Sequence, residues 1–362
     1  MIFKLHFVIF YMKKSGRFWK KKFLNSIGFV AMLYFFVLSL TLIKVSSQSL
    51  GNGILSLTQN GVSPINSFGL GWLATLITQS SGAAAATLIA FSLAGFIGPV
   101  VLIYMMMGTR IGTSITALFV AFLVHAKRRD FRHGFEVGLA NLVYALPIAI
   151  VMFLLELFTG FFSNVGNKFV VLGFPIFDII ERITFPLINL LSFIPYHLDV
   201  LLGLFVLIGS LKYLPKFMIN IWGEAYLKKQ INRFLNHKWK SFWLGFWITA
   251  ILMSTSITIT FLIPFVVTRI TNLRKVIPYM IGANLGGVSE LVIGGFVLGP
   301  QAMPAIFTYI AFSVIGLLWM FNTDLLWRAT KFLSKRTLYV SRKRALAFII
   351  AFILTAVVLS FV

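Results

Sequence analysis

Apolar runs of near-membrane length alternate with short basic clusters along this chain. The runs cover 26–43, 135–162, 198–211, 302–321 and 345–362. Most approach the roughly 20 apolar residues an α-helix needs to cross a bilayer. Other stretches are apolar but punctuated. Residues 67–98 contain Gln79-Ser80-Ser81-Gly82, and residues 241–268 contain Ser254-Thr255-Ser256. Residues 99–126 carry two glycines and three hydroxyl residues between Gly108 and Ser114. The pattern predicts a polytopic helical membrane protein with polar interruptions inside its apolar segments.

Composition agrees. The chain has 362 residues, 59% hydrophobic and only 11% charged, with mean hydropathy +0.93. A soluble domain of this size needs more surface charge. The absence of cysteine excludes disulfides, thiolate metal sites and cysteine nucleophiles. The five histidines show no ligand spacing, and no cofactor or metal site is expected. The net charge of +23 would suggest nucleic acid on a soluble protein. Here the basic residues lie between apolar runs, where the positive-inside rule accounts for them. Anionic lipids are therefore expected partners and nucleic acid is not. The run 26–43 is too long for a signal-peptide core and reads as a retained helix.

The punctuated segments recur at one offset. Leu70-Gly71 and Ser80-Ser81 reappear as Leu244-Gly245 and Ser254-Thr255, 174 residues later. Gly108 and Gly112 reappear as Gly282 and Gly286 at the same offset. An ungapped repeat indicates one structural unit used twice.

Flanking charge inverts between the copies. Residues 1–25 hold seven Lys or Arg and residues 175–199 hold one. Residues 49–66 and 92–101 hold none, whereas 223–240 hold five and 266–275 hold three. Residues 123–134 hold four and 297–308 hold none. Equivalent loops are thus expected on opposite sides of the membrane, making the copies an inverted-topology repeat. The predicted order is a cytoplasmic basic N-terminus (1–25), a first repeat (26–160), an inter-repeat segment (161–197) and a second repeat (198–322). A cytoplasmic basic linker (323–344) and a C-terminal transmembrane helix (345–362) follow. Segments 67–98 and 241–268 are read as re-entrant hairpins turning at Gln79–Gly82 and Ser254–Ser256. Half-helices 83–97 and 257–268 then follow the turns. Residues around 108–114 and 282–287 are read as breaks in transmembrane helices, which must be buried in protein or line a polar cavity.

Four polar breaks near one depth suggest a binding site. Helix N-termini favour anions, and hydroxyls serve either an oxyanion or a cation. The substrate-binding candidates are Gln79, Ser80, Ser81, Arg110, Thr113, Ser254, Thr255, Ser256 and Asn284. The ion-coupling candidates are Gln79, Ser81, Thr255, Ser256, Asn284 and Glu290. Any single hydroxyl could instead bond the carbonyl four residues back or serve helix packing. Arg110 near mid-membrane is either an anion ligand or half of a structural ion pair with Glu290. Glu136 and Glu156 are expected to reach water. Asp178, Glu181 and Asp199 are expected to be solvated, and Met105–Met107 to be core.

At these residues the chain resembles the type II sodium/phosphate cotransporter family. Its hallmark is a duplicated Gln-Ser-Ser-Ser segment, followed in each half by a Gly-Ala-Asn-Ile-Gly-Thr-Thr-like segment. Gln79-Ser80-Ser81 matches the first, with Gly82 in place of the third Ser. In the second copy Met253 replaces Gln and Ser254-Thr255-Ser256 is kept in kind. Gly282-Ala283-Asn284-Leu285-Gly286 matches well, whereas Thr109 and Arg110 replace Ala-Asn in the first half. Asn141 is similar to an Asn that the family carries after its broken helix. The resemblance covers roughly 25–145 and 198–322. It implies phosphate bound between hairpin tips, Na⁺ held by oxygen ligands, and elevator-like or rocking alternating access. Replacing Asn by Arg110 suggests a guanidinium standing in for one coupling cation.

The reading is thus an all-α polytopic membrane protein of two inverted repeats, each with a re-entrant hairpin and a broken helix. Its expected work is Na⁺-linked secondary transport of inorganic phosphate or a similar oxyanion across the cell (inner) membrane. The alternative is a degenerate relative acting as a scaffold or regulatory partner. A membrane enzyme ranks last, because no catalytic constellation is present. The sequence leaves oligomeric state open.

Overall fold

A computed structural model describes residues 22–42, 62–170, 177–190, parts of 198–221, and 234–362, apart from 40, 94, 125–127, 268, 270, 299 and 339–341. Expectations for residues 1–21 and for Asp199 fall outside the described residues, as do those for the side chains of Asp178 and Glu181. Every regular element among the described residues is helical. Five helices are long and apolar enough to cross a membrane: Lys22–Ser39, Pro99–Phe122, Phe131–Thr159, Leu273–Gly294 and Met303–Phe321. Several expose large apolar side chains outward, including Ile150, Val151 and Phe158. A lipid environment makes that exposure favourable, whereas water would penalise it. The protein is integral to a membrane.

The repeat is visible in element boundaries. Helix α2 (Pro64–Thr78) corresponds to α9 (Lys238–Leu252), residue for residue at the 174 offset. Helix α4 (Pro99–Gly112) corresponds to α12 (Leu273–Gly286) in the same way. In each half these two helices pack together closely. The cause is a pair of glycines per half. A Cβ on Gly71 would lie 2.0 Å from the Met105 carbonyl oxygen, and one on Gly245 would lie 2.1 Å from that of Tyr279. Gly108 and Gly282 approach the Phe68 and Phe242 carbonyl oxygens equally closely, at 2.0 Å. Small residues let helix backbones approach where dispersion, not water exclusion, drives association.

Each of α2 and α9 ends on a residue in the left-handed region, Gln79 (φ 57°) and Met253 (φ 50°). Their backbone N–H groups close onto Thr75 and Thr249, both at 2.8 Å. This is the left-handed C-cap, usually made by Gly. The next helices, α3 (Ser81–Leu93) and α10 (Thr255–Thr260), begin immediately. They start two residues earlier than the sequence pattern suggested. Ser81, Thr255 and Ser256 therefore sit in first helical turns.

The expected breaks after α4 and α12 are milder than anticipated. Thr113 (φ −54°, ψ −29°) and Gly287 (φ −65°, ψ −11°) keep right-handed helical conformations. Helix α5 (Ser114–Val124) and helix α13 (Ser289–Leu298) resume at once, so each break is a local distortion within a continuing helix. The stretch expected as a linker, 323–344, contains the helix Thr323–Leu338 (α16), which packs on α6 (Arg128–Thr159) and α12.

The two halves interlock reciprocally. Helix α3 packs on α13 of the other half, and its counterpart α10 packs on α5. The buried Ala83, Ala85 and Ala86 belong to one apolar cluster with Met253, Val288 and Tyr309. Met105, Met106 and Met107 are buried, as core side chains should be.

Basic segments gather at one end. Arg274 pairs with Asp324 at 2.6 Å, Lys275 bonds Asn236 at 2.9 Å, and Lys331 bonds Glu136 at 2.5 Å. Glu136 does not reach water. It is fully buried, held by Arg132, Lys331 and Ser334. Glu156 is buried too, accepting from the backbone N–H groups of Phe162 and Ser163. Each carboxylate found partners that exceed its hydration, which sequence position could not reveal.

Candidate functional site

Arg110 lies in the last turn of α4, with 1% of its surface exposed. Its Nη2 donates to the Asn284 backbone carbonyl and to Asn284 Oδ1, both at 3.2 Å. The same nitrogen reaches Ser313 Oγ at 3.1 Å. The guanidinium also stands over Tyr309, 4.4 Å from the ring centroid, and 5.1 Å from that of Phe312. A ring face attracts a cation by its quadrupole. Nε and Nη1 are buried without a partner.

The ion pair between Arg110 and Glu290 does not form. No acidic oxygen of Glu290 lies within bonding reach of the guanidinium, and Glu290 Oε1 is buried without a hydrogen bond. Glu290 instead extends across the interface toward α3. A Cβ on Gly82 would lie 1.5 Å from Glu290 Oε2, so the carboxylate occupies the space a side chain at 82 would need. The missing third hydroxyl of the first motif thus has a steric cause.

A polar chain extends from Arg110. Asn284 Nδ2 donates to Asn141 Oδ1 at 2.9 Å, and Asn141 Nδ2 donates to Ser114 Oγ at 3.1 Å. Ser313 Oγ bonds the Asn284 carbonyl at 3.1 Å. The Tyr309 hydroxyl donates to Ser81 Oγ at 3.0 Å, bringing the start of α3 to the same cluster. Helices α4, α5, α6, α12, the helix that carries Tyr309 and Ser313, and the start of α3 therefore meet in this cluster. Tyr309 and Ser313 were missed by the sequence reading. Their signal is faint but present: two polar groups four residues apart on a mostly apolar helix, Met303–Ile315 (α14).

The remaining candidates divide. Ser80 and Ser254 are helix caps, accepting from the Ala83 and Ile257 N–H groups, both at 3.3 Å. Capping satisfies donors that would otherwise be orphaned. Gln79 bonds its own helix through Nε2 to the Leu76 carbonyl, and Thr116 donates to Gln79 Oε1 at 3.2 Å. Thr113 bonds back to the Thr109 carbonyl at 3.4 Å, the packing role open to any hydroxyl. Thr255 is buried against Gly287, where an added Cβ would lie 2.0 Å from its Oγ1. Ser256 Oγ is buried with no partner. The structure joins Ser81, Arg110 and Asn284 in one cluster, and places Glu290 against Gly82.

The family model of the Na⁺/Pi-cotransporter matches residues 31–179 and 206–332. The chain belongs to that family. As a family member it is 28% identical over 172 residues to the sodium-dependent phosphate transport protein 2A of Oryctolagus cuniculus, covering 45% of this chain and 27% of that protein. It is 26% identical over 210 residues to the 2A protein of Rattus norvegicus, covering 55% and 32%. For the 2B protein of Bos taurus the figures are 28% over 142 residues, covering 38% and 20%. The chain spans less than a third of the length of these curated relatives. No solved structure matches it.

Proposed function

We propose that this member of the Na⁺/Pi-cotransporter family is a secondary transporter of inorganic phosphate or a similar small oxyanion. One observation carries the reading. Arg110 is a buried cation whose hydrogen-bond partners, Asn284 and Ser313, are neutral; the buried Glu290 carboxylate acts on it only through space, and its Nε and Nη1, near the Tyr144 hydroxyl, make no hydrogen bond. A permanently charged guanidinium in that setting is stabilised by an anion, and phosphate oxygens suit its donors. The relatives' names give the anion its most natural identity.

In this reading α2–α3 and α9–α10 are re-entrant hairpins of two oppositely inserted halves, and access alternates around their contact. The reciprocal packing of α3 on α13 and α10 on α5 supports it, as two-fold relation between repeats requires. Na⁺ is the coupling ion, held by oxygens from Gln79, Ser81, Thr255, Ser256, Asn284 and Glu290. Arg110 supplies one fixed positive charge of its own, so fewer sodium ions accompany each anion than an Asn at this position would require.

The test is uptake of radiolabelled phosphate into proteoliposomes, with and without an inward Na⁺ gradient, and with sulfate and arsenate as competitors. Saturable uptake competed by arsenate supports the proposal. Absence of uptake under every gradient overturns it. Equal Na⁺ dependence of the wild type and Arg110→Asn overturns the fixed-charge role alone.

A further inference from the structure

The end of the molecule where basic segments gather contains a cavity of about 700 Å³. Its walls come from three places: the start of α6, the loop and first turn of α12, and the face of α16. Four cations line it, Arg269, Arg274, Lys275 and Lys331, against the single carboxylate of Glu136. That carboxylate is already neutralised by Lys331 and Arg132. Arg274 is matched by Asp324, through two bonds of 2.6 Å. Among the described residues, Lys275 has only the neutral Asn236 as a side-chain partner, and the exposed Arg269 makes no ion pair. Among those residues, two positive charges therefore face the cavity without a counter-charge.

One further feature points to a ligand. Thr271 lines the cavity, is nine-tenths buried, and its hydroxyl has no partner. Arg269 sits at φ 61°, in the left-handed region. The N-terminus of α12 opens on the same space and adds favourable potential for an anion.

The depth of the cavity narrows the chemistry. Helices Phe131–Thr159 and Leu273–Gly294 begin at its walls, and Met303–Phe321 ends shortly before Trp327, which also lines it. Three membrane-length helices terminating together mark the polar boundary of a bilayer, where Trp is enriched. We propose that this cavity binds a phosphate-bearing anion at headgroup depth, through Arg269, Lys275 and the Thr271 hydroxyl. The site is separate from the Arg110 cluster, and the proposal stands without the transport reading. The phosphate can come from an anionic phospholipid headgroup or from free inorganic phosphate.

The full chain in detergent is compared as wild type, Arg269→Ala/Lys275→Ala, and the control Lys335→Ala/Lys343→Ala. Lys275→Gln alone serves if the double variant does not fold. Retention of phosphatidylglycerol against phosphatidylcholine is read by native mass spectrometry. Binding of radiolabelled orthophosphate is read by equilibrium dialysis on an Arg110→Ala background, which removes the central cluster's contribution. The cavity variant should weaken binding of one probe about thirtyfold, roughly fivefold for each of the two charges removed, and the control should not. A loss confined to phosphatidylglycerol identifies the lipid as the source, and a loss confined to orthophosphate identifies the free anion. Unchanged binding of both probes, or equal losses in cavity and control variants, overturns the proposal.

Discussion

Arg110 donates two hydrogen bonds to Asn284, the residue that holds its own place in the second repeat. The contact joins two positions that correspond at the 174-residue offset. The two positions are unequal, because one half places a cation there and the other an amide.

Replacing Arg110 by Met should remove the central cation and leave the Asn284 acceptors short of donors. Buried acceptors without partners cost about 1–3 kcal/mol. Thermal unfolding in detergent should show a lower Tm, and phosphate should no longer raise it. A phosphate-induced Tm rise equal to that of wild type would remove Arg110 from the site.

Gly82 and Glu290 should behave as a coupled pair. Gly82→Ser forces the Glu290 carboxylate out of its place, at a cost of about 1–3 kcal/mol for overpacking. Adding Glu290→Thr, the residue found at the equivalent position Thr116, should recover most of that loss. Penalties that simply add in the double variant would contradict the contact.

The glycines at α2–α4 and α9–α12 should be equally intolerant. Gly71→Ala and Gly245→Ala each press a methyl group onto a backbone carbonyl that cannot rotate away. Both should lower the yield of monodisperse protein on size-exclusion chromatography, each by about 1–3 kcal/mol of stability. A marked difference between the two halves would show that their helix contacts are not equivalent.

Glu136→Ala should destabilise more than Lys331→Met. The first leaves Arg132, Lys331 and Ser334 without their common acceptor. The second removes one donor, itself only about a quarter exposed at 26%. About 2 kcal/mol is expected for loss of the charged hydrogen bonds. Unfolding of both variants at low and high salt checks the order, and equal melting temperatures would contradict it.

The helical class, the repeat offset and the positions of α2, α4, α9 and α12 were legible in the chain, because apolar runs and paired glycines act through neighbours in sequence. The left-handed caps were half legible. The turns were expected at Gln79–Gly82 and Ser254–Ser256, with their hydroxyls as ligand candidates. Ser80 and Ser254 instead cap the next helix, a local role that the same residue types serve equally well. Glu136 was misjudged, since two of its partners, Lys331 and Ser334, lie 195 and 198 residues away.

What the sequence determined by itself was therefore the one-dimensional order: membrane-length helices, a duplicated unit, and basic ends that collect on one side. Those follow from hydropathy and charge, which are properties of segments. What only the tertiary structure decided was which of two partners each buried charge took. Arg110 had Glu290 available by depth and charge, yet lies against Asn284, and Glu290 lies against Gly82. The packing of one half on the other sets those distances, and hydrogen bonding and Coulomb attraction fall off too steeply for depth alone to choose between them.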